Sequence, residues 1–114
     1  METSGRDAEY LRWIDTSIKR IHKYTRGRAE WWRGEDPVWD AVLWRLETIG
    51  EASTRLSDEL KKRHPEIAWR DMGNFRNIVA HAYRTLDPSV IKNIVERELG
   101  PLHEVVRGEL EAST

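Results

Sequence analysis

Apolar side chains recur along this chain at steps of three and four residues, broken only where proline or glycine intervenes, and never alternate as in a half-buried strand. Helices are therefore the only regular elements expected. Leu11, Ile14, Ile18 and Ile21 share one stripe, which predicts a helix from about Asp7 to Tyr24 with Gly27 fitting its end. Between Arg26 and Asp36, Gly27, Gly34 and the pair Trp31-Trp32 show no period and read as a loop whose two Trp cover core or interface. Asp36-Pro37 is a helix start: the carboxylate can accept from exposed amides, and Pro37 sits where no amide donor is needed. Val42, Leu46, Ile49, Ser53, Leu56 and Leu60 then predict one long spine helix of roughly 40 Å that stops before Pro65. A third helix is expected from about Trp69 to Tyr83. Asp87-Pro88 starts a fourth, with Val90, Ile91, Ile94, Val95 and Leu99 on its buried side. Gly100-Pro101 predicts a bend or break, beyond which Leu102, Val105 and Val106 continue the stripe. The expected fold is all-α, an up-and-down bundle of four to five helices.

At 114 residues the chain can bury one core and is too short for two ordinary domains, so a single domain over 1–114 is expected, ordered from about 7 to 110. Six Trp argue against disorder. No apolar run approaches the roughly 18 residues that span a bilayer, and the opening METSGRDAE lacks the apolar core of a signal peptide, so a cytoplasmic location is expected. The absence of Cys excludes disulfides, thiolate catalysis and sulfur-ligated zinc. Net charge is −1, so total charge does not point to nucleic acid. Its distribution is lopsided: Lys19, Arg20, Lys23, Arg26, Arg28 and Arg33 stand against Glu30, whereas 96–111 is rich in Glu.

Turning the segment from Phe75 to Leu86 by about 100° per residue separates two faces. Phe75, Ile78, Val79, Ala82 and Leu86 form a core arc; Arg76, Asn77, Ala80, His81 and Arg84 form a polar one, with Tyr83 at the border on the Arg76 side. Asn77 and His81 are one turn apart, and the length of Arg76 lets it reach the same spot, so a guanidinium, an amide and an imidazole could converge. Cleaving RNA needs a base for the 2′-hydroxyl, an acid for the leaving oxygen, and donors for charge building on phosphorus. His81 suits proton transfer, Arg76 suits phosphate, and Asn77 could orient either. The blander reading is a solvated polar face. Glu47 and Glu51, one turn apart around Gly50, could act as acid and base but read more simply as solvated or ion-paired carboxylates, with Gly50 letting two helices approach. His22, His64, His81 and His103 form no two-His helical ligand pair, so neither a metal nor a cofactor is expected. A Gly-rich phosphate loop and a serine nucleophile elbow are both missing.

Arg76-Asn77-Ile78-Val79-Ala80-His81-Ala82-Tyr83 resembles the signature of HepT-like toxins of the HEPN superfamily: Arg, a polar residue, three positions, His, any residue, Tyr. Leu46 to Ala52 is similar to that family's spine-helix segment, and Pro65 to Met72 to its approach to the motif. The resemblance covers roughly 7 to 110. It implies a homodimer whose two motifs face a shared cleft, and metal-independent RNA cleavage by Arg76 and His81 with Asn77 beside them. Arg84, Glu47 and Glu51 would be supporting residues. It further implies a type II or type VII-like toxin–antitoxin system in which a minimal nucleotidyltransferase antitoxin transfers AMP onto Tyr83, placing a charged group where an RNA phosphate would enter. The sequence departs from the pattern at Ala82, where relatives often carry Asp. The alternatives are a non-catalytic RNA- or nucleotide-binding module that docks a nucleotidyltransferase, and a ligand-free structural dimer.

Overall fold

The computed structural model describes residues 3–33, 37–85 and 88–113, without the side chains of Tyr83 and Thr85. Among these residues every regular element is helical: α1 (Gly5–Thr25), α2 (Pro37–Arg55), α3 (Asp58–Arg63), α4 (Trp69–Gly73), α5 (Phe75–Thr85), α6 (Ser89–Asn93) and α7 (Leu99–Ala112). A π-helical turn, Ile94–Glu98, joins the last two. The helix starts read at Asp36 and Asp87, and Leu86 as a core residue, lie outside the described residues. No helix among those described is long and apolar enough to cross a membrane.

Helix α1 packs along α2 and α7, and α2 also carries α4 and α5. The stripes read in the sequence meet at these contacts, where Leu11, Ile14, Ile18, Ile21, Val42, Leu46, Ile49, Leu99, Leu102 and Val106 are fully buried. Each such side chain contributes about 1.5–3 kcal/mol, which makes this seam the main source of stability. Trp31 is buried and Trp32 packs against the core, with Lys92 Nζ 5.0 Å from its ring centre. Val90 departs from expectation at 45% exposure, because it lies in the first turn of α6 at the border of the stripe formed by Ile91, Ile94 and Val95.

Two helices expected to be continuous are broken. The spine stops at Arg55, and a separate helix begins after Ser57. Ser57 Oγ accepts from the Leu60 amide (3.2 Å), capping α3, while Asp7 accepts from both the Ser57 amide (2.9 Å) and its hydroxyl (2.6 Å). A hydroxyl with a local amide to satisfy and a buried carboxylate from α1 outcompetes the helical ladder at this point. The expected helix from Trp69 to Tyr83 is likewise interrupted at Asn74, whose backbone (φ −90°, ψ 2°) makes the corner between α4 and α5. The irregularity expected at Gly100-Pro101 takes the form of the wide turn just before it, where the Leu99 amide donates to the Ile94 carbonyl five residues back. Pro101 has no amide to donate and its ring crowds the preceding turn; the wide turn adjoins it, and the helix runs on to Ala112.

The far end of α7 is fixed by a polar cluster. Glu109 Oε1 accepts from Arg63 Nη2 (2.6 Å) and contacts His64 Nε2 (3.1 Å), while Thr3 Oγ1 donates to Oε2 (2.8 Å). Midway along α1, Asp15 holds Lys19 (2.9 Å) and His103 (2.8 Å). Burial alone would raise both carboxyl pKa values. The bonds from Arg63, Thr3 and His64 outweigh it for Glu109, and those from Lys19 and His103 for Asp15, leaving both below their ordinary 4.5 and 3.8.

A carboxylate depressed in the folded state stabilises above its unfolded pKa and loses that contribution as pH falls through the folded one, so the Glu109 contribution should fade below about pH 4.5. Glu109→Ala removes the carboxylate that joins Arg63, His64 and Thr3 to α7 and should cost about 2–4 kcal/mol at neutral pH, a figure reduced from that of a fully buried pair because Arg63 is 25% exposed. Urea unfolding at neutral and acid pH checks this, since the gap between the variant and its parent must narrow in acid.

Candidate functional site

Helix α5 shows the two faces its sequence predicts. Phe75, Val79 and Ala82 are buried and Ile78 is half-buried, whereas Arg76, Asn77, Ala80, His81 and Arg84 are exposed. The backbone of Tyr83 belongs to α5, but its side chain, and with it the border position read from the sequence, lies outside the described residues.

Gly50 on α2 seats this helix. A Cβ added there would lie 2.9 Å from the Met72 carbonyl oxygen and 3.1 Å from Phe75 Cβ. Backbone at the end of α4 and the first side chain of α5 therefore rest directly on α2, which accounts for a glycine in mid-helix. The close approach read into Gly50 is present. Gly73 makes a second near contact, its hydrogen facing Thr54 Cγ2.

Two depressions flank α5. One, about 350 Å³, is lined by Asn74, Asn77, Ile78, His81 and Ala82 with Val90 of α6. The structure thus brings Asn77 and His81 together, and Asn77 Nδ2 donates to Asn74 Oδ1 at 2.6 Å, which fixes its amide. The other, about 830 Å³, lies between α1, α2 and the start of α5 and holds Arg76 together with Glu47 and Glu51. Within one chain Arg76 and His81 line neighbouring grooves, about 7.5 Å apart along the helix axis. Arg84 is exposed further along the same helix. Glu51 is held by Arg55, with Oε1 3.1 Å from Nη2, as its reading as an ion-paired carboxylate anticipates.

Sequence reasoning missed Trp13, Trp44, Arg45 and Asn74. Trp13 and Trp44 are 50% and 58% exposed and both line the larger groove, where Arg45 lies 4.7 Å over the Trp44 ring. The available signal was a large aromatic placed off the apolar stripe of its helix. Asn74 carried no periodic signal. Nearby, a hydrogen bond from Arg20, with Arg45 adding to it, holds the Tyr24 phenol below its ordinary pKa. Among the described residues no group of three His, Asp or Glu gathers as metal ligands would.

The ribonuclease HepT-like family model matches residues 14–108, the span that contains α5 and the helices packed on it. The chain belongs to the HepT-like ribonuclease family. It is 36% identical over 107 residues to a protein of Thermococcus cleftensis named "Probable ribonuclease HepT", covering 90% of this chain and 92% of that one. A Methanocaldococcus jannaschii protein named "Gamma-glutamylcyclotransferase and putative RNase" is 30% identical over 103 residues, which span 85% of this chain but 44% of the larger relative. A second protein of that organism, named as an RNase in the same terms, is 32% identical over 66 residues, or 58% of this chain and 61% of its own length. No solved structure matches the chain.

In this HepT-like chain the seat at Gly50 sets where the motif helix lies. Gly50→Ala should destabilise the fold by about 1–3 kcal/mol, because the nearest obstacle is a backbone carbonyl that cannot rotate away. Gly108→Ala on α7 meets nothing within 4 Å and should stabilise by about 0.5–1 kcal/mol. Opposite signs in thermal unfolding are the expected result.

Proposed function

We propose that this chain is the toxin of a type II or type VII-like toxin–antitoxin pair: a one-domain, cytoplasmic, homodimeric endoribonuclease that needs no metal and is silenced by a nucleotidyltransferase antitoxin adenylylating Tyr83. The observation that carries the reading is the exposed Arg76, Asn77 and His81 face of α5, backed by buried Phe75, Val79 and Ala82, in a chain of a ribonuclease family. A helix locked on one side holds its polar side chains steady on the other.

His81 removes the proton of a 2′-hydroxyl as that oxygen attacks the adjoining phosphorus; the bond to the 5′-oxygen breaks, and that oxygen takes up a proton. The products are a 2′,3′-cyclic phosphate and a free 5′-hydroxyl. Arg76 neutralises the charge that builds on the phosphoryl oxygens. Because Arg76 and His81 of one chain line neighbouring grooves, a second copy facing the first gives a cleft two sets of these groups, an arrangement that favours the homodimer. AMP on Tyr83 would bring negative charge to the helix that carries Arg76 and His81, competing with an RNA phosphate.

The same separation favours a second reading, in which the two grooves hold RNA without cutting it and the chain serves as a binding module that docks a nucleotidyltransferase.

Purified protein with single-stranded RNA and a chelator should yield cyclic-phosphate ends. His81→Ala should slow this by about 100-fold or more, and Arg76→Ala by a similar factor. Equal cleavage by wild type and His81→Ala would sink the ribonuclease reading, and RNA binding without turnover selects the module. Coexpression with a nucleotidyltransferase should add AMP to Tyr83 by mass spectrometry; AMP on another residue removes Tyr83 from the scheme.

A further inference from the structure

The groove that holds Arg76 is more elaborate than a phosphate contact requires. Trp13 and Trp44 line it with their rings half exposed, and each is braced: Tyr10 packs edge-on against Trp13 at 5.6 Å, and Arg45 lies over Trp44 at 4.7 Å. Ser17, which also lines it, is fully buried, yet its hydroxyl finds no hydrogen-bond partner among the described residues, and neither does Arg45 Nε. Both atoms are sealed within the groove's wall, so the surface offered to a ligand is made by the two indole rings with Glu47 and Arg76. Glu51 is drawn to Arg55 on the solvent side, which leaves half-buried Glu47 as the groove's acceptor.

We propose that this groove is a nucleobase subsite that takes an unpaired guanine of the RNA strand, stacked against Trp13 and Trp44 and read by Glu47. The inference rests on the ribonuclease reading for the identity of the strand. Four observations favour this occupant over an apolar surface of another protein. Exposed indole rings are platforms on which any base stacks. Arg76, at the edge toward His81, meets the backbone phosphate that joins the stacked nucleotide to the linkage to be cut. The volume, about 830 Å³, lies within the range of small-molecule sites. A wall carrying two carboxylates and two guanidiniums would be costly to dry against apolar side chains.

Guanine is singled out by its hydrogen-bonding edge. Its ring N1–H and exocyclic amino group point the same way and match the two oxygens of a carboxylate. Adenine and cytosine each offer an amino group beside an acceptor nitrogen. Uracil offers one N–H between two carbonyl oxygens, which a carboxylate repels. Base preference should therefore run from guanine, through adenine and cytosine, to uracil.

The test uses full-length His81→Ala protein and short fluorescein-labelled single-stranded RNAs identical except for one guanine or uracil, with affinity read by fluorescence anisotropy. The guanine RNA should bind about tenfold more tightly. Adding Glu47→Gln should shrink that ratio towards equality, and adding Trp44→Ala should weaken both RNAs by about tenfold through lost stacking. Circular dichroism confirms that the variants fold. Equal affinity for the two RNAs, or a ratio unmoved by Glu47→Gln, overturns the subsite whether or not the wild type cuts RNA. Guanine preference in a protein that never cuts would keep the subsite and remove the nuclease. Should Trp13→Ala or Trp44→Ala split a dimer while RNA affinity stays constant, the groove belongs to a second copy of the chain and the proposal fails.

Discussion

The two grooves beside α5 are positioned by the seating of that helix on α2 at Gly50. The end of α4 and the start of α5 touch α2 with no side chain between them, and the same turn of backbone sends Arg76 toward one groove and Asn77 toward the other. The contact is short-ranged and has little slack, since the Met72 carbonyl oxygen would stand 2.9 Å from any added Cβ. Buried Leu46 and Ile49 hold α2 against α1, so the position of the motif helix depends on the α1–α2 seam as much as on its own sequence. A side chain at Gly50 would push the whole face away from the Trp13 and Trp44 groove.

What could be read from the sequence divides along physical lines. The apolar stripes of α1, α2 and α7, and the two faces of α5, were legible because burial imposes a period that survives without tertiary knowledge. The breaks were not. At Ser57 the apolar period runs on through Leu56 and Leu60, both buried, so a reader following hydrophobicity sees one helix. The cap signal was present, Ser57 followed by Asp58 and Glu59, but its force comes from Asp7, fifty residues away, reaching over to bond it. Asn74 is similar: it stands between Met72 and Phe75, the two residues that rest on Gly50, so its corner accompanies a tertiary contact that hydrophobic spacing does not display.

For the site, residue types were easier to name than their grouping. Arg76, Asn77 and His81 could be placed on one exposed arc from spacing alone, and they are exposed. Their division between two grooves depends on which neighbouring helices stand on either side of α5, a tertiary fact that helical spacing does not contain. The larger groove was invisible for the same reason: Trp13 and Trp44 sit on different helices, and only the packing of α1 on α2 brings them together.

Ala82 gains a different meaning once its surroundings are known. The Ala82 side chain is 3% exposed and lines the same small groove as His81, so an Asp there would surrender most of its hydration beside the imidazole. A carboxylate so placed would need a cationic or hydrogen-bonding partner inside the groove, a demand that Ala82 does not make. With Ala at this position the groove has an apolar floor of Ile78, Ala82 and Val90.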